Sequence, residues 1–219
     1  YVNFGGYTRD QMIAYLLFAG IITSTFWHTS SGDAIIDAIR TGRFSKYLVK
    51  PMNLTANHFI AEMMGNVFRF VFSAAIVFIL FLVFNASISI VFSWSQFLFF
   101  SVFLMLGIGI RFLIFYCAAL LAFWMEEVWG VTFLIRVFAD IAAGSFVPLA
   151  LFAPFWQGIF SILPFKFIIS VPVNALLGRL APHEIIATML TALGWLLGLA
   201  MLTWFTWRRG VRHYSAVGD

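Results

Sequence analysis

Charged residues are scarce in this chain of 219 residues: Asp, Glu, Lys and Arg together make up 10% of it. An average soluble protein has about 25%. Hydrophobic residues account for 63%, and the mean hydropathy is +0.99. Apolar runs long enough to cross a bilayer recur along the whole sequence. This composition excludes a soluble globular domain and predicts an all-α polytopic membrane protein.

The residue patterns of catalytic and cofactor sites are also missing. The single cysteine, Cys117, provides no disulfide framework. The four histidines lie far apart without paired ligands, so we expect no metal site. No glycine-rich phosphate loop ending in lysine occurs, so any ATP hydrolysis must belong to another chain. The net charge of +4 is too small and too localised to indicate nucleic acid. We therefore expect no enzymatic activity and no cofactor in this chain.

Long apolar segments indicate where the chain crosses the membrane. A spanning helix needs about 20 apolar residues. No soluble domain or low-complexity linker interrupts the sequence, so residues 1–219 form a single membrane domain. Five segments predict spanning helices, at residues 11–28, 58–84, 96–123, 128–147 and 184–207. Because the chain starts at Tyr1 and five is an odd number, we expect a sixth span and a further helix to precede it.

Basic residues predict the orientation, because cytoplasmic loops are enriched in Lys and Arg. Seven lie in the loop after the first span and in the C-terminal tail, which alternation places on one side: Arg40, Arg43, Lys46, Lys50, Arg208, Arg209 and Arg212. Three lie on the other side: Arg9, Lys166 and Arg179. The bias predicts a cytoplasmic C-terminus and an extracellular position for the segment before the last span.

The cytoplasmic segment at residues 29–55 is the first candidate for function. Ser31 or Asp33 can cap a helix there, and Gly42 can end it. Three charged residues share one face of that helix: Asp33, Asp37 and Arg40. Ile35, Ile36 and Ile39 share another face. Composition leaves two interpretations open, namely a helix that rests on anionic lipid and a helix that docks a cytoplasmic partner.

Charges inside the predicted spans are the second candidate. Arg111 lies deep in the third span, and Arg136 and Asp140 are one helical turn apart in the fourth. Such residues are costly in lipid and face the protein interior or a water-filled cavity. They either line a substrate path or form a buried ion pair of Asp140 with one of the arginines. Glu62, Asn66 and Arg69 share a face of the second span, which is predicted to be solvated or to contact another helix.

A proline-rich segment at residues 145–182 is the third candidate. It is apolar, but its prolines break helical hydrogen bonding, so it cannot cross the membrane as one helix. We expect short helices that enter one face of the membrane and return. Pro148, Pro154 and Pro164 shape this turn, and Phe155 and Trp156 add large apolar side chains. Either the segment is an outer gate for amphiphilic cargo, or it is a packing plug with interfacial anchors.

Three motifs together resemble the membrane subunits of ABC-2 type transporters, which are similar to type V exporters. They are the segment TGRFSKYLVKPMN after the cytoplasmic helix, the hairpin FVPLALFAPFWQGIFSILPF and the tail WRRGVRHYSAVG. The resemblance covers essentially the whole chain. It implies a permease of the bacterial cytoplasmic (inner) membrane that exports a hydrophobic or amphiphilic substrate.

The resemblance also implies partners and residue roles. The cytoplasmic helix would be a coupling helix that docks into an ATPase subunit, through Asp33, Asp37, Arg40, Gly42, Arg43 and Lys50. Two ATPase subunits, which bind ATP and Mg²⁺, would join this permease and a second one, identical or homologous. Residues 145–182 would gate the exit. The competing hypothesis is a membrane scaffold or assembly protein without a transport path.

Overall fold

The computed structural model describes residues 5–26, 31–44, 54–83 and 93–214. These ranges fold into α-helices joined by turns and short 3-10 helices, which confirms the predicted all-α class. The helices are α1 (Arg9–Phe26), α2 (Ser31–Arg40), α3 (Leu54–Val83), α4 (Trp94–Ala119), α5 (Trp129–Ala143), α6 (Pro154–Ile162), α7 (Ser170–Leu176) and α8 (Pro182–His213).

Three segments within the described ranges are long and apolar enough to cross a membrane. They are Leu54–Ile79 in α3, Trp94–Phe123 in α4 with its 3-10 extension, and Pro182–His213 in α8. The other two predicted spans correspond to shorter helices, α1 with 18 residues and α5 with 15. At 1.5 Å per residue, α5 is about 22 Å long, less than the roughly 30 Å of a hydrocarbon core. The number of spans therefore stays a prediction.

Helix α4 lies at the centre of the structure. It packs against α8, α7, α2 and α5. Of the 18 residues in its most apolar stretch, 39% are buried. In the most apolar stretches of α3 and α8 only 6% of the residues are buried, so these helices lie at the periphery. The side chains that α4 buries include Phe103, Ile110 and Tyr116. Since α4 contacts both the α2 region and the proline-rich segment, it connects two of the predicted functional regions.

Local sequence explains where α4 begins and where α5 ends. Ser93 accepts a hydrogen bond from the Gln96 amide at 3.2 Å, and the Gln96 side chain accepts one from the Ser93 amide at 2.9 Å. This reciprocal pair satisfies two amides that have no partner within the helix. At the end of α5, Gly144 has a φ of +79° and the Ser145 amide donates to the Asp140 carbonyl. These bonds provide partners for terminal backbone groups without water.

The proline-rich segment consists of short helices, as its prolines indicate. Pro154 is the first residue of α6, Pro164 begins a 3-10 turn (Pro164–Phe167), and Pro182 begins α8. Proline suits the first helical position, where its missing N–H leaves no hydrogen bond unmade. Pro148 precedes a second 3-10 turn (Leu149–Leu151). Each of these prolines therefore lies at or just before the start of a helix or 3-10 turn, and the segment is interrupted at these points.

Gly107 allows the proline-rich segment to pack directly on α4. A Cβ atom at this position would lie 2.3 Å from the Phe167 carbonyl oxygen and 3.1 Å from the Ile168 Cα. Both are backbone atoms, so no side-chain rotation could relieve the contact. The close approach buries Phe167 and Ile168 against the central helix. Glycine at this position therefore lets α4 and the 3-10 turn share one core.

We expect Gly107→Ala to destabilise the fold by about 1–3 kcal/mol, the usual cost of overpacking a core. The matched control is Gly198→Ala in α8, where an added Cβ has no neighbour within 4 Å. Because alanine favours helix by up to about 1 kcal/mol over glycine, the control should be neutral or stabilising. Thermal unfolding of the detergent-solubilised protein measures both. Equal midpoints for the two variants would contradict the close packing at Gly107.

Candidate functional site

Helix α2 is amphipathic, as its sequence predicts. Ile35, Ala38 and Ile39 are buried, with exposed fractions of 8% or less. The three charged residues of the opposite face are all exposed: Asp33, Asp37 and Arg40. The buried face packs on the ends of α3 and α4. The helix thus presents a charged surface outward while its apolar surface belongs to the core.

The turn after α2 has the conformation expected of a helix-ending glycine. Gly42 has a φ of +71°, a backbone conformation that side chains disfavour. The Phe44 amide returns to donate to the Ala38 carbonyl at 2.9 Å. Arg43 forms an ion pair with Asp37, and its Nε donates to the Thr41 hydroxyl at 2.9 Å. These contacts gather predicted coupling residues into one exposed cluster.

Phe44 fixes this turn to the far end of the chain. Its side chain is fully buried, with ring centroids 5.2 Å from Phe123, 5.5 Å from Trp207 and 5.3 Å from Tyr214. The Tyr214 hydroxyl also donates to the Gly42 carbonyl at 2.9 Å. The α2 turn and the end of α8 therefore lie together, and we call this region the basic end. Its described basic residues are Arg40, Arg43, Arg208, Arg209 and Arg212. Sequence reasoning did not identify the Phe44 cluster.

Part of the predicted coupling segment lies outside the described residues. This applies to Lys50, to the neighbouring Lys46 and to the rest of residues 45–53. Among the coupling residues suggested by the resemblance, five lie within the described ranges, and they all belong to α2 and the turn that follows it: Asp33, Asp37, Arg40, Gly42 and Arg43.

A groove of about 460 Å³ runs between the charged face of α2 and the start of α5. From α2 and its turn it is lined by Asp33, Ile36, Asp37, Arg40 and Thr41, and from α5 by Trp129 and Thr132. Trp129 is 74% exposed and stacks on Phe133 at 5.5 Å. Exposed aromatic residues and arginine are enriched at protein–protein contact surfaces. Trp129 was not among the predicted site residues, although a tryptophan in the acidic segment WMEEVWG, residues 124–130, was a usable signal.

Two arginines stabilise the end of α1. Arg111 is 4% exposed, and its Nη2 donates to the Phe26 carbonyl at 2.9 Å. Arg69 donates through Nε to the Thr25 carbonyl, also at 2.9 Å. The last carbonyls of a helix have no partner within it and carry partial negative charge. Two cations from α4 and α3 therefore complement the end of α1.

Aromatic rings surround the guanidinium of Arg111. Its Cζ lies 4.7 Å from the centre of the Phe26 ring and 4.6 Å from that of Phe115. Arg136 approaches the same Phe115 ring at 6.0 Å. Ring faces attract cations most strongly where water is excluded. These contacts provide a physical reason why a charged residue is tolerated inside α4.

Asp140 forms no direct ion pair with Arg111 or Arg136, so the prediction of such a pair is wrong. Among the described residues, the one carboxylate–cation pair within 4.0 Å is Asp37–Arg43 at the basic end. Asp140 acts on Arg111 and Arg136 only as a more distant charge. The spacing of Arg136 and Asp140 allowed a pair, but the guanidinium of Arg136 lies near the Phe115 ring instead. For Arg69, the predicted contact with another helix is present.

At the end of the molecule opposite the basic end, polar contacts join residues that the sequence did not predict to meet. The Tyr7 hydroxyl donates to Asn174 at 2.7 Å, and the Arg179 guanidinium lies 3.6 Å from the Tyr7 ring centre. Burial raises the pKa of Tyr7 above its usual value, so its hydroxyl stays a donor. The buried Tyr15 hydroxyl donates to the Gly144 carbonyl at 2.9 Å. The first of these bonds joins Tyr7 to the proline-rich segment, and the second joins α1 to the end of α5.

The two aromatic side chains of the predicted gate point outward, whereas Pro148 and Pro164 are buried. Phe155 is 71% exposed and Trp156 is 46% exposed. The buried aromatic residue of α6 is Phe160, which contacts the rings of Phe138, Phe152 and Trp156. The exposed pair suits contact with lipid, and Phe160 packs the segment against Phe138 of α5.

Comparison with known proteins supports one family. The family model described as ABC-2 family transporter protein matches residues 1–218. No curated protein and no solved structure matches the chain.

We expect Arg111→Met to destabilise the protein by about 1–3 kcal/mol, because it removes the donor to the Phe26 carbonyl and two cation–ring contacts. The matched control is Arg136→Met, which removes a charge whose contact with the Phe115 ring is longer, at 6.0 Å. Thermal unfolding in detergent should show a clearly smaller shift for the control. If both variants lower the midpoint equally, the role assigned to Arg111 at the end of α1 is wrong.

Proposed function

Because the chain belongs to the ABC-2 family of transporter proteins, we propose that it exports a hydrophobic or amphiphilic substrate. Family membership and the long apolar helices make it a membrane-embedded permease subunit that works with ABC ATPase subunits. We further propose two such ATPases and a second permease, identical or homologous. The location would be the bacterial cytoplasmic membrane, with the C-terminus in the cytoplasm. The chain itself would perform no chemistry, since ATP and Mg²⁺ would be bound by the ATPases.

The geometry of α2 is the observation that carries the coupling proposal. One face of the helix belongs to the core, and the other presents Asp33, Asp37 and Arg40 beside an exposed Trp129. A partner that docks on the charged face would therefore press on a helix that cannot move independently of its neighbours. Docking on an element with only loose contacts would transmit little force to the spans.

Two sets of contacts could transmit a movement of α2 to the membrane-spanning helices. The Phe44 cluster connects the turn after α2 to the ends of α4 and α8. Arg111 and Arg69 connect the end of α1, which precedes α2, to α4 and α3. ATP would shift the equilibrium only to the extent that the ATPases hold α2 more favourably in one state. The proline-rich segment, which Tyr7 contacts through Asn174, would open at the opposite end for release.

The experiment is co-purification of the tagged chain from detergent-solubilised native membranes, with mass spectrometry of its partners. We expect a soluble ATPase to accompany the wild type and to be lost from the charge-swapped variant Asp37→Arg/Arg40→Asp. Both residues are exposed, so the swap should alter the docking surface and leave stability nearly unchanged. The same samples show whether a second permease is present.

The matched control is Arg9→Asp/Asp10→Arg, which swaps the same charges at the start of α1, at the end opposite α2. It should retain the ATPase. Loss of the ATPase from both variants would remove the specific role of α2. A stable complex without any ATPase would refute the transporter hypothesis and favour the membrane scaffold.

A further inference from the structure

We propose that the C-terminal end of α8 binds the phosphate of an anionic lipid headgroup through Arg208 and Arg209. Trp204 and Phe205 hold the two guanidinium groups in place. This inference depends on the chain being embedded in a membrane, and it does not depend on transport, direction or the ATPase.

The two arginines form a repeated arrangement with aromatic residues one turn earlier. The Cζ of Arg208 lies 4.2 Å from the centre of the Trp204 ring, and the Cζ of Arg209 lies 4.2 Å from that of Phe205. Stacking uses the flat face of a guanidinium and leaves its N–H edge free for a phosphate oxygen. Ring contact also restricts the long side chains, so less conformational entropy is lost when a phosphate binds. The two guanidinium groups are therefore preorganised to bind an anion.

The position of the arginines along α8 matches the headgroup level of a bilayer. The 23 residues from 185 to 207 contain no charged side chain. In a helix they extend about 34 Å, slightly more than the roughly 30 Å hydrocarbon core. Arg208 and Arg209 follow immediately. Lipid phosphates therefore lie beside these guanidinium groups when α8 crosses the membrane.

The charge of these arginines is not neutralised within the described part of the chain. The ion pair present there, Asp37–Arg43, involves neither of them. The one acidic residue of α8, Glu184, lies at the opposite end of the helix. Arg212 adds a further cation one turn after Arg208. An anion from outside this part of the chain is thus the natural complement.

The exposed apolar face of α8 favours a lipid over an acidic protein surface. Leu197, Met201 and Trp204 are 65%, 69% and 55% exposed, and they form a continuous surface along the helix towards the arginines. In a membrane-embedded chain such a face meets acyl chains. A lipid places its acyl chains and its phosphate on one continuous surface, whereas a soluble partner reaches only the end of the helix. Charge and apolar surface together match an anionic phospholipid.

The test is native mass spectrometry of the full chain in detergent, titrated with phosphatidylglycerol or phosphatidylcholine. We expect a preference for phosphatidylglycerol, which decreases roughly fivefold for each arginine removed and about 30-fold in Arg208→Ala/Arg209→Ala. The variant Trp204→Leu/Phe205→Leu keeps both charges and should lose part of the preference. Inorganic phosphate, added at the same concentration as the lipid, should not displace phosphatidylglycerol.

The matched control is Arg9→Ala/Lys166→Ala, which removes two charges elsewhere and should keep the preference. Equal binding of both lipids by the wild type, or an equal decrease in the two charge variants, would overturn the proposal. Displacement by inorganic phosphate would show an anion site without lipid specificity, and would also overturn it. Unfolding midpoints in phosphatidylcholine identify a misfolded variant, and the Trp204/Phe205 variant then provides the decisive comparison. A failed ATPase co-purification leaves this result unaffected.

Discussion

The need to satisfy backbone groups at the end of α1 constrains the rest of the structure. This helix ends beside Arg111, which lies 12 residues before the end of the span Trp94–Phe123, about 18 Å along the helix. Water is scarce at such a depth, so terminal carbonyls need donors from the protein. Arg111 and Arg69 supply them from two different helices. These hydrogen bonds reduce both the cost of burying a cation and the cost of leaving the carbonyls without a donor. They also join α1 to α3 and α4.

The same arrangement gives α2 the position that its proposed coupling role needs. The first end of the helix follows the constrained end of α1. The other end leads to Phe44, whose ring contacts Phe123 in the 3-10 extension of α4, Trp207 in α8 and Tyr214 just after α8. A short amphipathic helix has little stability alone. Here its surroundings hold it between two fixed points, while Asp33, Asp37 and Arg40 remain exposed. Rigid attachment with an exposed charged face is what a coupling element requires.

Some parts of the site were predictable because they follow local rules. The end of α2 before Gly42, the division of its faces, the helix that begins at Pro154 and the 3-10 turn that begins at Pro164 depend on neighbouring residues alone. The start of α2 differs from the prediction, because Ser31 and Asp33 lie inside the helix and neither occupies the capping position before it. The contacts of the charged residues were not predictable in this way. Arg136 and Asp140 have the spacing of an ion pair, yet the guanidinium lies near Phe115 on another helix. Helical spacing shows which residues share a face and says nothing about what that face meets.

By itself, the sequence determined the membrane class, the charge asymmetry and the short elements, because hydropathy, charge and proline act over a few residues. It also carried the family, through a match over residues 1–218. Tertiary structure alone decided the partners: Phe44 with Trp207, Tyr7 with Asn174, and Arg111 with the end of α1. These residues are distant in the chain, so their contacts depend on how whole helices pack. Packing is a property of complete surfaces, which no short pattern of residues encodes.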